Sequence, residues 1–316
     1  MKTYIIGHQK PDTDSVVATL AFKHIFDSDK CWGHSNSIIC ITHDLNLETK
    51  FVFNKFKADQ SQLKLIKATD IPTDSKIVLV DHNEESQRLS GLNQDQITDI
   101  FDHHKINLNL NKPIFITIKD WGSTNTIAWH LMNLYKLTIP KTLASLMLCA
   151  ILSDTVAFKS ITTTDIDKKA AKTLAKIAEI NNIDQLAIEM LKAKSNISKL
   201  TDDQIISNDY KIYDFFGKKV FISQLETVEQ ENLFKTRKQD LLKALKNIKQ
   251  KENYDLAFVA ISDVLKINTK LLILPYEEKN IAEKAFSKKS ENSLLDIGPK
   301  LSRKKQIAPA IEKALT

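Results

Sequence analysis

Three side chains able to bind a metal ion stand close together near the start of the chain. His8, Asp12 and Asp14 lie in the stretch Gly7-His8-Gln9-Lys10-Pro11-Asp12-Thr13-Asp14-Ser15. One imidazole nitrogen and two carboxylates suit Mn, Fe, Zn or Co better than the all-oxygen shell preferred by Mg. Aspartates ahead of a helix also serve as caps, so on these residues alone the ligand and cap readings both stand. The stretch opens off the apolar run Tyr4-Ile5-Ile6 and leads into Val16-Val17-Ala18-Thr19-Leu20-Ala21-Phe22, the pattern of a strand followed by a helix. In open α/β sheets ligands sit outside the carboxyl ends of strands, which is where this turn falls.

The same arrangement recurs along the chain. A β-branched run at Lys76-Ile77-Val78-Leu79-Val80 ends in Asp81-His82-Asn83-Glu84. Ile97-Thr98-Asp99-Ile100-Phe101 leads to Asp102-His103-His104, and a helical stretch at 142–152 ends in Ser153-Asp154. His8, Asp12, Asp14, Asp81, His103 and Asp154 therefore each close a predicted element, and four carboxylates with two imidazoles can hold two metal ions with one carboxylate shared. That chemistry is hydrolysis. Gly122-Ser123-Thr124, at a helix start, could bind an anion or simply cap. His82 either orients a ligand or turns away, and His24, His34, His43 and His130 read as surface or satisfied core residues.

The remaining elements alternate as an α/β chain. Strands are expected at 37–41, 76–80, 97–101 and 114–118, with helices at 47–57, 124–135 and 142–152 and helical spacing from 164 to 194. Beyond about 195 the texture changes: a hairpin turns on Gly217, a long helix covers 227–250, strands follow at 255–261 and 270–274, and a last helix begins at Ser302. With 316 residues the chain is too long for one core. The division expected is 1–190, a linker at 191–197 with its hinge at 192–198, and 198–316. The fold class is α/β, with a mainly parallel sheet flanked by helices and a smaller α/β domain with a mixed sheet.

Composition excludes several classes. Hydrophobic residues at 42% and charged residues at 27% are those of a folded globular chain. The net charge of +6 comes from lysines scattered along amphipathic stretches, not from a basic arm, which argues against nucleic acid. Three cysteines without metal-type spacing favour a reducing compartment. Neither a signal peptide nor a membrane span is visible, so a cytoplasmic protein without membrane contact is expected.

With these motifs in hand, the sequence resembles the manganese-dependent inorganic pyrophosphatases of family II, within the DHH phosphoesterase superfamily. The resemblance rests on Gly7-His8-Gln9 with Pro11-Asp12-Thr13-Asp14, on Val80-Asp81-His82-Asn83-Glu84, Asp102-His103-His104 and Ser153-Asp154, and on Ser302-Arg303-Lys304-Lys305-Gln306. It implies a DHH metal-binding catalytic domain followed by a DHHA2-like substrate-binding domain. It assigns His8 and Asp12 to one metal, Asp14, His103 and Asp154 to the other, and Asp81 to both. His104, Lys211, Arg303 and Lys304 become the substrate-binding and catalytic residues. The reaction implied is hydrolysis of pyrophosphate by a hydroxide bridging two Mn2+ per subunit, with Co2+ able to substitute, Mg2+ accompanying the substrate, and the enzyme a homodimer. An exopolyphosphatase or oligonucleotide phosphodiesterase of the same superfamily is the alternative. Lys159-Ser160-Ile161-Thr162 lacks a proline common in the family, and no insertion between 57 and 76 could house a nucleotide-binding regulatory domain.

Overall fold

The computed structural model describes residues 2–28, 30–34, 36–195, 197, 200–207 and 209–316. The chain divides into two compact units, Met1–Lys194 and Ser195–Thr316. The first is built on β1 (Thr3–Ile6), α1 (Thr13–Ser28), β2 (Ser37–Ile41), α2 (Leu47–Lys55), β3 (Lys64–Leu65), β4 (Lys76–Val80), β5 (Ile97–Asp102) and β6 (Phe115–Ile118). Four helices complete it: α3 (Thr124–Leu134), α4 (Lys141–Asp154), α5 (Asp165–Ala178) and α6 (Ile183–Ser195). The strands form one sheet in the order β3-β2-β1-β4-β5-β6, every pair parallel. β1 sits between β2 and β4, so the chain leaves β1 toward one edge and returns to its other side. That reversal makes a switch point between the carboxyl ends of β1 and β4.

Alternation along the strands divides the core. Ile5, Ile39, Val78, Val80 and Phe101 face the helices, and Phe22 of α1 lies against Phe101 with ring centroids 4.1 Å apart. Tyr4, Ile6, Cys40, Ile77 and Leu79 face the other way, where Ile66, Ile71 and Leu89 from short connecting segments cover them. Helical spacing from 164 to 194 suggested one continuous element; the structure breaks it, because Glu179 turns left-handed (φ 57°, ψ 38°) and closes α5. The expected linker is helical as far as Ser195, and Asn196 and Ser198 lie outside the described residues.

The second unit runs α7 (Asp202–Ile206), β7 (Asp209–Phe215), β8 (Lys218–Thr227), α8 (Gln230–Lys251), β9 (Leu256–Asp263), β10 (Asn268–Ile273), α9 (Glu277–Phe286), β11 (Leu294–Gly298) and α10 (Ala308–Ala314). Its sheet order is β11-β10-β9-β8-β7. Only β8 and β9 pair in parallel, and α8 is the crossover that such a pair needs. Phe216 and Gly217 both take positive φ (56° and 79°), the backbone a two-residue hairpin between β7 and β8 requires. Buried residues of α7 and α8 cover one face, and those of α9 and α10 the other. Arg303–Ile307 forms a π-helical turn ahead of α10, capped by Ser302 Oγ, which accepts from Lys305 N at 3.2 Å.

Candidate metal centre

His8 follows β1 and Asp81 follows β4, on the two strands that flank the switch point. Asp81 holds φ at 64°, a left-handed value uncommon outside glycine, while its N–H still donates to Phe101 O at 2.9 Å. The ladder thus continues into a residue whose side chain has been turned out of the strand. Backbone strain of this sort persists where the surroundings over-determine it. Here Thr124 Oγ1 donates to Asp81 Oδ1 at 2.8 Å.

Asp12 and Asp14 arrive by the turn into α1. Asp12 Oδ1 accepts from Ser15 N at 2.9 Å, so it does cap the helix. The cap and ligand readings are compatible, since a carboxylate oxygen has lone pairs for both a backbone N–H and a cation. Asp14 is fully buried and lies at the N-terminus of α3, where Thr124 N donates at 2.7 Å and Asn125 Nδ2 at 2.8 Å, with Ser123 Oγ 2.5 Å away. The anion held by the Ser123-Thr124 segment is therefore the chain's own aspartate.

The two histidines are oriented alike. His8 Nδ1 lies 2.7 Å from Gln9 O and His103 Nδ1 lies 2.9 Å from Trp121 O, contacts that place the N–H on Nδ1 and leave Nε2 as the electron-pair donor. His8 Nε2 is 3.6 Å from Asp12 Oδ1 and 3.5 Å from Asp81 Oδ2. His103 Nε2 is 3.4 Å from Asp81 Oδ1 and 3.3 Å from Asp154 Oδ2. Among the described residues three groups emerge in which every donor atom lies within 4.8 Å of the others; two hold the six expected ligands, His8 with Asp12 and Asp81, and Asp14 with Asp81, His103 and Asp154, while the third joins His104 to Asp81 and His103. The structure brings all six residues together, and Asp81 belongs to each group. Asp81 Oδ2 and His103 Nε2 are buried with no hydrogen-bond partner among the described residues. Orphaned buried acceptors are costly, and a divalent cation bound by these nitrogen and oxygen donors would satisfy them.

The electrostatics of these residues favour a bound cation. Burial, reinforced by the Asp81 charge, pushes the Asp14 carboxyl up to about 7, and burial with Asp14 raises Asp154 well above the carboxylate range. Burial opposes charge on Asp81 too, but the neighbouring imidazoles of His103 and His8 hold it below the usual range. Burial likewise works against the imidazolium of His8 and of His103. Asp12 and Asp81 nevertheless raise the first to about 11, and Asp154 and Asp81 the second to about 12. Without a metal the carboxylates thus favour the imidazolium form of both histidines, and a cation bound at Nε2 would take the place of that proton.

His104 lies half-exposed beside this cluster, its Nδ1 2.8 Å from Asp102 Oδ1, while Asn83 Nδ2 donates to the other Asp102 oxygen at 2.5 Å. His82 is buried, its Nδ1 pairs with Val80 O at 2.9 Å and its ring meets that of His8 edge-on with centroids 6.4 Å apart. His34 is a satisfied core residue, 2.9 Å from Asp99. The remaining candidates lie in the second unit. Lys211 is on β7 with Nζ 5.4 Å from the Tyr213 ring, Lys304 is exposed, and Arg303 pairs with Asp209 at 3.0 Å and anchors its N–H on Gln224 Oε1 at 3.0 Å. Residue patterns alone gave no role to Asn125, Asp102 or Glu48. Only their burial and partners place them around the cluster.

A parallel sheet with side chains able to bind metal gathered at its switch point, followed by a unit with a mixed sheet, fits the DHH class of hydrolases. The family models agree: the DHH family N-terminal domain matches residues 2–151 and the DHHA2 domain residues 188–314. A manganese-dependent inorganic pyrophosphatase of Methanocaldococcus jannaschii is 38% identical, with 98% of each chain covered, and one of Methanothrix thermoacetophila is 35% identical over 98% of this chain and 97% of the relative. The crystal structure of a Methanococcus jannaschii protein assigned to the family II inorganic pyrophosphatases superposes with a TM-score of 0.61 at 37% identity, covering 99% of both chains. The chain belongs to the family of manganese-dependent inorganic pyrophosphatases and is a hydrolase.

Proposed function

We propose that the chain hydrolyses inorganic pyrophosphate to two phosphates at a two-metal centre. The observation that carries this reading is the sharing of Asp81 between the group of His8 and Asp12 and the group of Asp14, His103 and Asp154, in a chain whose full-length relatives are manganese-dependent pyrophosphatases. His8 and Asp12 bind one ion, Asp14, His103 and Asp154 the other, and Asp81 both. Two Mn2+ per subunit, with Co2+ able to replace them and Mg2+ accompanying the substrate, would supply Lewis acidity and activate the attacking water. His104, its Nδ1 fixed by Asp102, presents Nε2 to the substrate as hydrogen-bond or proton donor. Arg303 clamps a phosphate through its planar fork, and Lys211 and Lys304 act as point charges against the several negative charges of pyrophosphate.

The test is phosphate release from pyrophosphate, tripolyphosphate and a dinucleotide by protein stripped of metal and reloaded with Mn2+, Co2+ or Mg2+. Pyrophosphate turned over fastest with Mn2+ or Co2+ is the expected result. Preference for tripolyphosphate or the dinucleotide replaces this reading with an exopolyphosphatase or an oligonucleotide phosphodiesterase. On the same proposal the enzyme is a cytoplasmic homodimer. Self-association is supported by β6, which ends the sheet with Phe115 and Ile116 47% and 43% exposed, an edge that proteins usually cover. Sedimentation equilibrium at twice the chain mass is expected. Among the described residues no helix is long and apolar enough to cross a membrane.

A further inference from the structure

Glu48 stands in the first turn of α2, a place where a glutamate ordinarily sits in water and favours the helix dipole. Here it is 1% exposed. Its Oε2 accepts from Ser153 Oγ at 2.7 Å and from Thr13 Oγ1 at 3.2 Å, and Oε1 has no hydrogen-bond partner among the described residues. The facing cation is Lys194 Nζ, 3.9 Å away and more than half exposed, too long and too wet a contact to account for burying a carboxylate. The two donors are informative. Thr13 lies between Asp12 and Asp14, and Ser153 directly precedes Asp154. The same Thr13 hydroxyl also touches Thr49 Oγ1 at 3.0 Å, so the second residue of the pair Glu48-Thr49 reaches the same turn.

We propose that Glu48 is a positioning residue: one carboxylate oxygen ties the turn carrying Asp12 and Asp14 to the end of the helix carrying Asp154, fixing three metal-binding carboxylates relative to one another. This rests on the metal-binding reading above. Thr13 belongs to the N-terminus of α1 and Ser153 to the last turn of α4, so no local hydrogen bond sets the distance between them. Glu48 supplies that distance from a third element, α2. A neutral amide can present its oxygen to the same two hydroxyls, whereas a methyl group cannot. Partners behind metal ligands typically carry 10–100-fold in metal affinity or activity.

The experiment is Mn2+ titration of the metal-stripped full chain by calorimetry, with pyrophosphate kinetics alongside. Glu48→Ala is expected to raise the Mn2+ dissociation constant by roughly 10–100-fold and to lower kcat at saturating Mn2+ while KM for pyrophosphate changes little, because the substrate-binding cations are untouched. Glu48→Gln should recover Mn2+ affinity to within about threefold of wild type. Ser153→Ala, which removes one of the two donors and leaves the fold's apolar contacts in place, should weaken Mn2+ binding by several-fold and serves if Glu48→Ala fails to fold. A folded Glu48→Ala protein with wild-type Mn2+ affinity overturns the proposal, as does a Glu48→Gln protein as defective as Glu48→Ala. Should wild type bind Mn2+ but release no phosphate from pyrophosphate, the reaction assignment fails while the titration still decides the role of Glu48.

Discussion

Gly7→Ala is a small change with a large expected effect. Gly7 is not in the left-handed region, so the glycine is needed for space. A Cβ there would stand 2.3 Å from Ser15 Oγ, 3.3 Å from Ser15 O and 3.4 Å from Ser15 Cβ. The hydroxyl can rotate away, but it accepts the His8 N–H at 3.0 Å, and moving it strands that donor. The carbonyl belongs to α1 and cannot retreat alone. Overpacking of this kind costs about 1–3 kcal/mol, and a stranded part-buried N–H about 1–3 kcal/mol more. We expect a loss of about 2–6 kcal/mol, a large share of the about 5–15 kcal/mol that a domain holds in total. The strain falls on the backbone of His8, so Mn2+ affinity should drop even in protein that remains folded. Urea unfolding of the metal-free chain and calorimetric Mn2+ titration measure the two effects. A double-mutant cycle with Ser15→Ala isolates the cause: with the hydroxyl gone, Gly7→Ala should cost at least about 1 kcal/mol less than in wild type. Additive costs, or a Gly7→Ala protein within about 0.5 kcal/mol of wild type and with unchanged Mn2+ affinity, would refute the reasoning.

Asp81→Asn keeps the side-chain shape and tolerates the left-handed backbone but cannot serve two cations, so it should lose one or both ions and fall by roughly 100-fold or more in Mn2+ affinity; elemental analysis showing two retained ions would exclude Asp81 as the shared ligand. In the metal-free chain the raised values of His8 and His103 mean that their carboxylate pairs stabilise the fold fully below the ordinary histidine value of 6.5, and that this contribution is lost as pH rises toward 11–12. Manganese must displace those protons. Its affinity should therefore climb between about pH 6 and 9, with release of up to about two protons counted by calorimetry in buffers of different ionisation enthalpy, and a pH-independent affinity would contradict this. Arg303→Ala is expected to keep its Mn2+ content while losing roughly 100-fold in kcat/KM for pyrophosphate, with Arg303→Lys restoring only part, since a point charge lacks the fork. Unchanged kinetics would remove the C-terminal cations from the proposed substrate site.

What the sequence disclosed, and what it hid, follows from the range over which each feature is determined. β4 was legible because a strand buried on both faces has to be a continuous apolar run, and Asp81 stood out because it ended one. The break after α5 was not, since it depends on Glu179 adopting a conformation usually marked by glycine. α9 and β11 escaped for the opposite reason: the first is largely polar, and the second is a short edge strand with Asp296 in its middle. At the site, ligand candidates could be read because each closes an element. The groups that aim them could not, because Asn125 reaches Asp14 across 111 residues of chain and Ser153 reaches Glu48 across 105. Spacing carries no trace of such contacts. The strand order explains why these distant partners meet at all. Because β1 lies between β2 and β4, the turns after β1 and β4 open beside each other; the N-terminus of α3 donates to Asp14, and the C-terminus of α4 brings Asp154 into the same group of donor atoms. A helix N-terminus favours anionic Asp14 there. Asp154, at the C-terminal end of α4, has no such offset, and burial beside Asp14 raises its carboxyl well above the ordinary range, a shift that a bound cation would oppose.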